Sequence, residues 1–80
     1  MGNGERFPNL TGKEMCRILD RLCGKPISVS GSHKKYRKPG SAGETFIFGY
    51  HNGATVTGGI VRQILVKDVG LSPTEARKVV

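Results

Sequence analysis

The sequence predicts an α+β domain: a three-stranded antiparallel sheet with helices on one face, in the order α-β-β-β-α with a short C-terminal helix. Three observations predict it. Apolar residues recur at helical spacing from Thr11 to Gly24, the period changes to two between Lys25 and His51, and helical spacing returns after Thr57. Such an order puts one sheet face under the helices and leaves the other bare.

Each element has its own local reasons. "TGKEMCRILDRLCG" opens with Thr11 and Glu14 in capping-box spacing and closes on Gly24, a residue favoured just past a helix end. Met15, Ile18, Leu19, Leu22 and Cys23 supply its apolar stripe. Lys13, Arg17 and Arg21 stand one turn apart on the other side, a solvated face tied to Glu14 and Asp20, with a phosphate-contacting stripe as the alternative. In "PISVSGS", Ile27 and Val29 alternate with Ser28 and Ser30 as in a half-buried strand, and Gly31-Ser32 turns the chain.

"HKKYRK" is the second strand. Its only large apolar group is Tyr36, so Tyr36 faces the core and His33, Lys35 and Arg37 face the opposite way. "PGSAG" breaks the chain, and "ETFIFGYH" has the aromatic and β-branched content of a third strand. Thr57 is the expected N-cap of "GGIVRQILVKDVG", with Val61, Ile64, Leu65 and Val69 as the buried stripe. Ser72, Pro73 and Glu75 start the terminal helix.

A chain of 80 residues, 36% hydrophobic, has room for a single small domain, read here as residues 9–80 behind a frayed tail over 1–8. Its formal charge of +7, from 13 Lys and Arg against 6 Asp and Glu, calls for a polyanionic partner. No acidic residue lies between Asp20 and Glu44, an interval that holds Arg21, Lys25, Lys34, Lys35, Arg37 and Lys38. Charge concentrated in this way is the footprint of nucleic-acid binding. No run is long enough to cross a bilayer and the N-terminus lacks the apolar stretch of a secretory signal, which implies a cytoplasmic protein that engages no membrane. The hydroxyl residue that myristoylation needs at position six is replaced by Arg6.

Two Cys and two His do not suit a metal. The intervals between Cys16, Cys23, His33 and His51 are seven, ten and eighteen residues, whereas structural zinc sites bring ligands in close pairs. Cys16 and Cys23 lie two helical turns apart, too far to bridge, and are expected as buried free thiols. Neither a phosphate-binding loop nor a serine nucleophile elbow is present, and no cofactor is expected.

Cleavage of RNA, by contrast, needs only a base, an acid and cations around the phosphate. Histidine suits the proton work because its reference pKa of about 6.5 lies near neutral pH. His33 stands behind Gly31 and Ser32 and ahead of Lys34, Lys35, Arg37 and Lys38, which could hold phosphates. His51, after the third strand, is the candidate second acid or base if adjacent strands bring it near His33. The Thr57–Gly59 segment offers helix-start N–H groups to an anion, with Gly59 as the candidate contact. The residues alone lead as far as the expectation of a basic α/β module that binds nucleic acid, and a catalytic role for His33 stays open beside a merely polar one.

"GSHKKYRKPG", "FIFGYHNG" and "GGIVRQILVKDVGLS", taken in that order, resemble a HicA-type toxin over about Thr11 to Val80. The resemblance implies a small mRNA interferase with a double-stranded-RNA-binding-domain-like fold, the toxin of a type II toxin–antitoxin system, neutralised by a HicB-type antitoxin. It places the catalytic histidine at His33, matches His51 to a histidine found after the third strand in many relatives, and matches Gly59 to the glycine that opens the following helix. Ile60 departs from the pattern, since a small hydroxyl residue is usual there. The function implied is metal-independent cleavage of mRNA; the alternative is a non-catalytic RNA-binding module of the same fold.

Overall fold

The computed structural model describes residues 6–80, and its elements follow the local chemistry of the chain. Strand β1 (Leu10–Thr11) leads directly into helix α1 (Gly12–Cys23). The Thr11 hydroxyl accepts from the Glu14 amide at 3.1 Å, and the Glu14 carboxylate accepts from the Thr11 amide at 2.8 Å. Two N–H groups that a helix start would leave unpaired are thereby satisfied. Gly24 ends the helix at φ 78°, a conformation that a side chain disfavours.

Strands β2 (Ser28–Ser30), β3 (His33–Arg37) and β4 (Thr45–Phe48) form an antiparallel sheet in the order β2-β3-β4. Ser28 pairs with Lys35 and Ser30 with His33, while across the other edge of β3 Tyr36 pairs with Phe46 and Lys35 with Ile47. The third strand ends earlier than its composition suggests. Gly49 interrupts it, and Tyr50 and His51 enter a turn instead of extending the ladder.

Helix α1 packs over β3, and Met15, Leu19, Tyr36 and Phe48 belong to one buried cluster. Burying a side chain of Leu or Met size stabilises a fold by about 1.5–3 kcal/mol, so this small cluster is the main source of stability. The Tyr36 ring also stacks on Phe46, with centroids 5.8 Å apart. Its hydroxyl donates to Asp20 Oδ1 at 2.8 Å. Asp20 therefore serves the core and does not tie down the helix cations: among the described residues the only ion pair is Lys38 to Glu44, at 3.8 Å. Beyond the reach of α1, Ile27 and Val29 stay 47% and 58% exposed, where alternation predicts half-burial.

Strand β5 (Thr55–Val56) pairs antiparallel with β1, Leu10 opposite Val56. Two residues carry no readable period, so this ladder has no counterpart in the sequence pattern. Helix α2 (Gly58–Gln63) continues without a break into a π-helical turn (Ile64–Val69), closed by Gly70 at φ 96°. The expected stripe of Val61, Ile64, Leu65 and Val69 is buried. Thr57 occupies the N-cap position of α2, yet its side chain makes no capping bond; Gly58 N–H donates to Asn9 Oδ1 at 2.8 Å instead. The cap comes from 49 residues away because the Phe7–Asn9 segment runs against the helix start, where a Cβ at Gly58 would overlap the Phe7 carbonyl.

Helix α3 (Pro73–Lys78) begins at Ser72, whose hydroxyl accepts from Glu75 N–H at 3.1 Å while the Glu75 carboxylate accepts from Ser72 N–H at 3.2 Å. Of the tail expected over 1–8, residues 1–5 lie outside the described residues; Phe7 packs against the core, with the Arg77 guanidinium 5.7 Å from its ring centre. The fold is α+β, a three-stranded antiparallel sheet with helices that include a short C-terminal one, compatible with the double-stranded-RNA-binding-domain arrangement. Among the described residues no helix is long and apolar enough to cross a membrane.

Burial, together with the hydrogen bond to Asp20, pushes the Tyr36 phenol well above its ordinary value of about 10. Below pH 10 the folded and unfolded chains both keep the proton. Above it the unfolded chain releases the proton and the folded chain holds it, so stability falls as pH rises. Urea unfolding at pH 9 and pH 11 is expected to show a loss on the order of 1 kcal/mol from this group, absent in Tyr36→Phe. Equal losses in both proteins would contradict the assignment.

Candidate functional site

Strand parity builds the first part of the site. With Tyr36 buried, His33, Lys35 and Arg37 emerge on the opposite face of β3. The registers add Ser28 and Ser30 from β2 and Thr45 and Ile47 from β4, and every one of these side chains is exposed. Among the described residues no carboxylate stands on this face. His33 lies against Gly49, where a Cβ would sit 3.1 Å from its Cδ2 and 3.2 Å from its Nε2. Glycine is what lets the imidazole rest on the strand backbone. Gly49 has no place in a sequence-level site; the break it makes in the aromatic run "FIFGY" is the one signal that could have singled it out.

The second part lies around His51. Ser32 Oγ and His51 Nδ1 are 2.7 Å apart, a hydrogen bond that joins the residue before His33 to the turn after β4. An open cavity of about 360 Å³ adjoins them, lined by Gly31, Ser32, Lys34, Tyr50, His51 and Asn52. His51 thus pairs with Ser32, and His33 is not among the residues that line the cavity. Lys34 shares the parity of Tyr36, and its ammonium donates to Cys16 Sγ at 3.1 Å.

The turn that carries His51 is held by backbone contacts. Ala54 N–H donates to the His51 carbonyl at 3.0 Å, Gly12 N–H to Ala54 O at 2.8 Å, and Lys13 N–H to Asn52 O at 3.0 Å. The start of α1 therefore anchors the turn, and a Cβ at Gly12 would overlap the His51 carbonyl. Tyr50 packs on Phe48 with ring centres 5.3 Å apart, which fixes that wall of the cavity.

The remaining sequence-level candidates fall elsewhere. Lys38 is paired with Glu44 beyond the end of β3. Gly59 borders a separate groove with Arg62, Gln63, Val66 and Lys67, and the N–H beside it, that of Gly58, already serves Asn9. Cys16 is buried and Cys23 half-buried, both as free thiols. Burial, and secondarily the charge of Asp20, raises the Cys23 thiol above its ordinary value. Among the described residues no three His, Cys, Asp or Glu side chains cluster as a metal site requires.

Residues 12–71, three quarters of the chain, match the family model for the HicA toxin of bacterial toxin–antitoxin systems. The chain belongs to the HicA toxin family. Membership makes it the toxin partner in a toxin–antitoxin pairing. The HicA match begins at the first residue of α1 and ends just past Gly70, so it takes in the open face and the His51 cavity and leaves out β1 and α3. Neither the curated proteins nor the solved structures give a match.

Because Gly12 admits the His51 carbonyl, Gly12→Ala in this HicA chain is expected to cost about 1–3 kcal/mol by overpacking. Gly53→Ala, in open space on the same turn, is expected to stay within about 0.5 kcal/mol. Urea midpoints of the two variants check the contrast, and equal midpoints would refute it.

Proposed function

We propose that this HicA toxin is a metal-independent endoribonuclease that cleaves mRNA through the 2′-hydroxyl, with His33 as the group that moves the proton. The observation that carries this reading is the exposed His33 imidazole, in line with Lys35 and Arg37 on a sheet face that bears no carboxylate among the described residues. Side chains at alternate strand positions are about 7 Å apart, so an RNA backbone laid along β3 meets a cation at each step beyond the imidazole.

The chemistry balances on these groups. Neutral His33 accepts the proton of the 2′-hydroxyl, the 2′-oxygen bonds to phosphorus, and the bond from phosphorus to the 5′-oxygen breaks. The imidazolium, or a water, returns a proton to the leaving oxygen, which gives a 2′,3′-cyclic phosphate and a 5′-hydroxyl end. Lys35 and Arg37 offset the negative charge that accumulates on the phosphate oxygens. Lys34 and Lys38 add to the long-range attraction, and Ser32 is the candidate phosphate contact next to His33, while Gly59, on a separate groove, would meet the RNA only further along its backbone. His51 is the candidate second acid or base, reached through the Ser32 hydrogen bond rather than through His33 itself. A HicB-type antitoxin of acidic surface would silence the enzyme by covering the open face, and the +7 charge favours that encounter.

His33→Ala is expected to lower the cleavage rate of a short RNA by about 10²–10⁴-fold, to leave DNA untouched as the parent does, and to relieve growth arrest on induction. Chelation of divalent ions is expected to leave the parent rate unchanged. Lys35→Ala and Arg37→Ala should each reduce the slope of log affinity against log salt by about 0.7, the value for one single-strand phosphate contact. A His33→Ala protein that still cuts would remove the assignment, and a parent that binds RNA but leaves it whole would favour the non-catalytic module.

A further inference from the structure

We propose that the cavity between Ser32 and the His51 turn is a nucleotide subsite that holds one base of the RNA beside the cut and so selects where a transcript is cleaved; this rests on the endoribonuclease reading above. Its chemistry is that of a nucleotide. Lys34 offers a cation to a phosphate, Tyr50 an aromatic face to a base, and Asn52 and the Ser32–His51 pair donors and acceptors to a base edge. None of the six lining residues is aliphatic or acidic, which disfavours an apolar ligand or a metal ion.

The cavity is also built to keep its shape. The Tyr50 ring is held on Phe48, and the turn of His51 and Asn52 is fixed to α1 through backbone bonds of 2.8 and 3.0 Å. Lys34 is steadied by Cys16. A volume near 360 Å³ lies at the lower end of small-ligand sites, about 300–1,000 Å³.

Position links it to the chemistry. Ser32 precedes His33, and Tyr50 follows Gly49, on which the His33 ring rests. The cavity walls and the seat of the imidazole are therefore consecutive residues on two neighbouring chain segments, with side chains on alternate sides. An RNA strand that passes the end of the β3–β4 ladder presents its phosphate to His33 and turns the adjoining base into the cavity. Single-stranded RNA is read in this manner, by stacking and by base edges, because its bases can be splayed out.

The test uses the His33→Ala chain, which leaves RNA intact under the reading above. It is titrated with AMP, GMP, CMP, UMP and inorganic phosphate while the side-chain NMR signals of His51, Asn52, Lys35 and Arg37 are followed. Nucleotides are expected to move the His51 and Asn52 signals, with the best base bound about fivefold or more tighter than the worst, the low end for paired base-edge contacts. Asn52→Ala is expected to erase that difference, and Asn52→Asp, which keeps the shape but replaces a donor, to change which base binds best. Inorganic phosphate that reproduces the nucleotide shifts would reduce the cavity to an anion site and overturn the proposal, as would shifts confined to Lys35 and Arg37. In the active chain, Asn52→Asp is expected to redistribute the cleavage positions along a transcript, and an unchanged map overturns the subsite. Cleavage that persists in His33→Ala would count against the catalytic reading alone, since the titration is independent of it.

Discussion

Tyr36 is fully buried between α1 and the sheet, and its hydroxyl reaches Asp20 at 2.8 Å. Because successive strand residues point to opposite faces, this one burial dictates the direction of every neighbour on β3. A slip of the register by one residue would carry His33, Lys35 and Arg37 into the core and the phenol into water, and burying unpaired charges costs several kcal/mol each. The register is therefore strongly specified, although the strand is almost entirely polar. The open face is cationic as a consequence of where the aromatic ring must go.

Close backbone approach is the second constraint. Gly12 admits the His51 carbonyl, Gly58 admits the Phe7 carbonyl, and Gly49 admits the His33 imidazole. Each contact ties segments far apart in sequence: the start of α1 to the turn after β4, the N-terminal segment to the start of α2, and the imidazole to the strand beside it. In a domain with so small a core these contacts fix where the functional groups sit, and the core alone would leave them free to shift. The Asn9 cap on Gly58 has the same effect on α2, at a position where the local threonine supplies none.

The basic stretch from His33 to Lys38 is divided by this geometry into groups with different surroundings. His33, Lys35 and Arg37 are exposed on the sheet face with no side-chain hydrogen bond or ion pair among the described residues, Lys34 is turned to Cys16 and the cavity, and Lys38 is engaged with Glu44. A net charge attracts a polyanion from a distance, but only groups without a local partner can exchange solvent for phosphate cheaply. A membership that spans 12–71 covers both the open face and the cavity, so each belongs to the part of the chain that the HicA family shares.

The sequence by itself determined the order of the helices and of the three main strands, both capping boxes, the buried stripe from Val61 to Val69, the burial of Met15 and Leu19 in α1 but not that of Ile18, Leu22 and Cys23, which stay half-buried, and the split of β3 into Tyr36 on one side and His33, Lys35 and Arg37 on the other. Those features depend on period and on neighbours within four residues, which a linear pattern records. It gave no sign of the β1–β5 ladder, the π-helical turn, the Asn9 cap or the Ser32–His51 hydrogen bond. His51 reads as the end of a third strand beside His33, whereas packing stops that strand at Phe48 and turns His51 toward Ser32. Only the tertiary structure decided these points: the ladder, the cap and the Ser32–His51 bond join residues 19 to 49 positions apart, the close approaches turn on whether one backbone has room beside another, and neither distance nor room has a local signature in the chain, while apolar spacing does not separate the π-helical turn from a continuing α-helix.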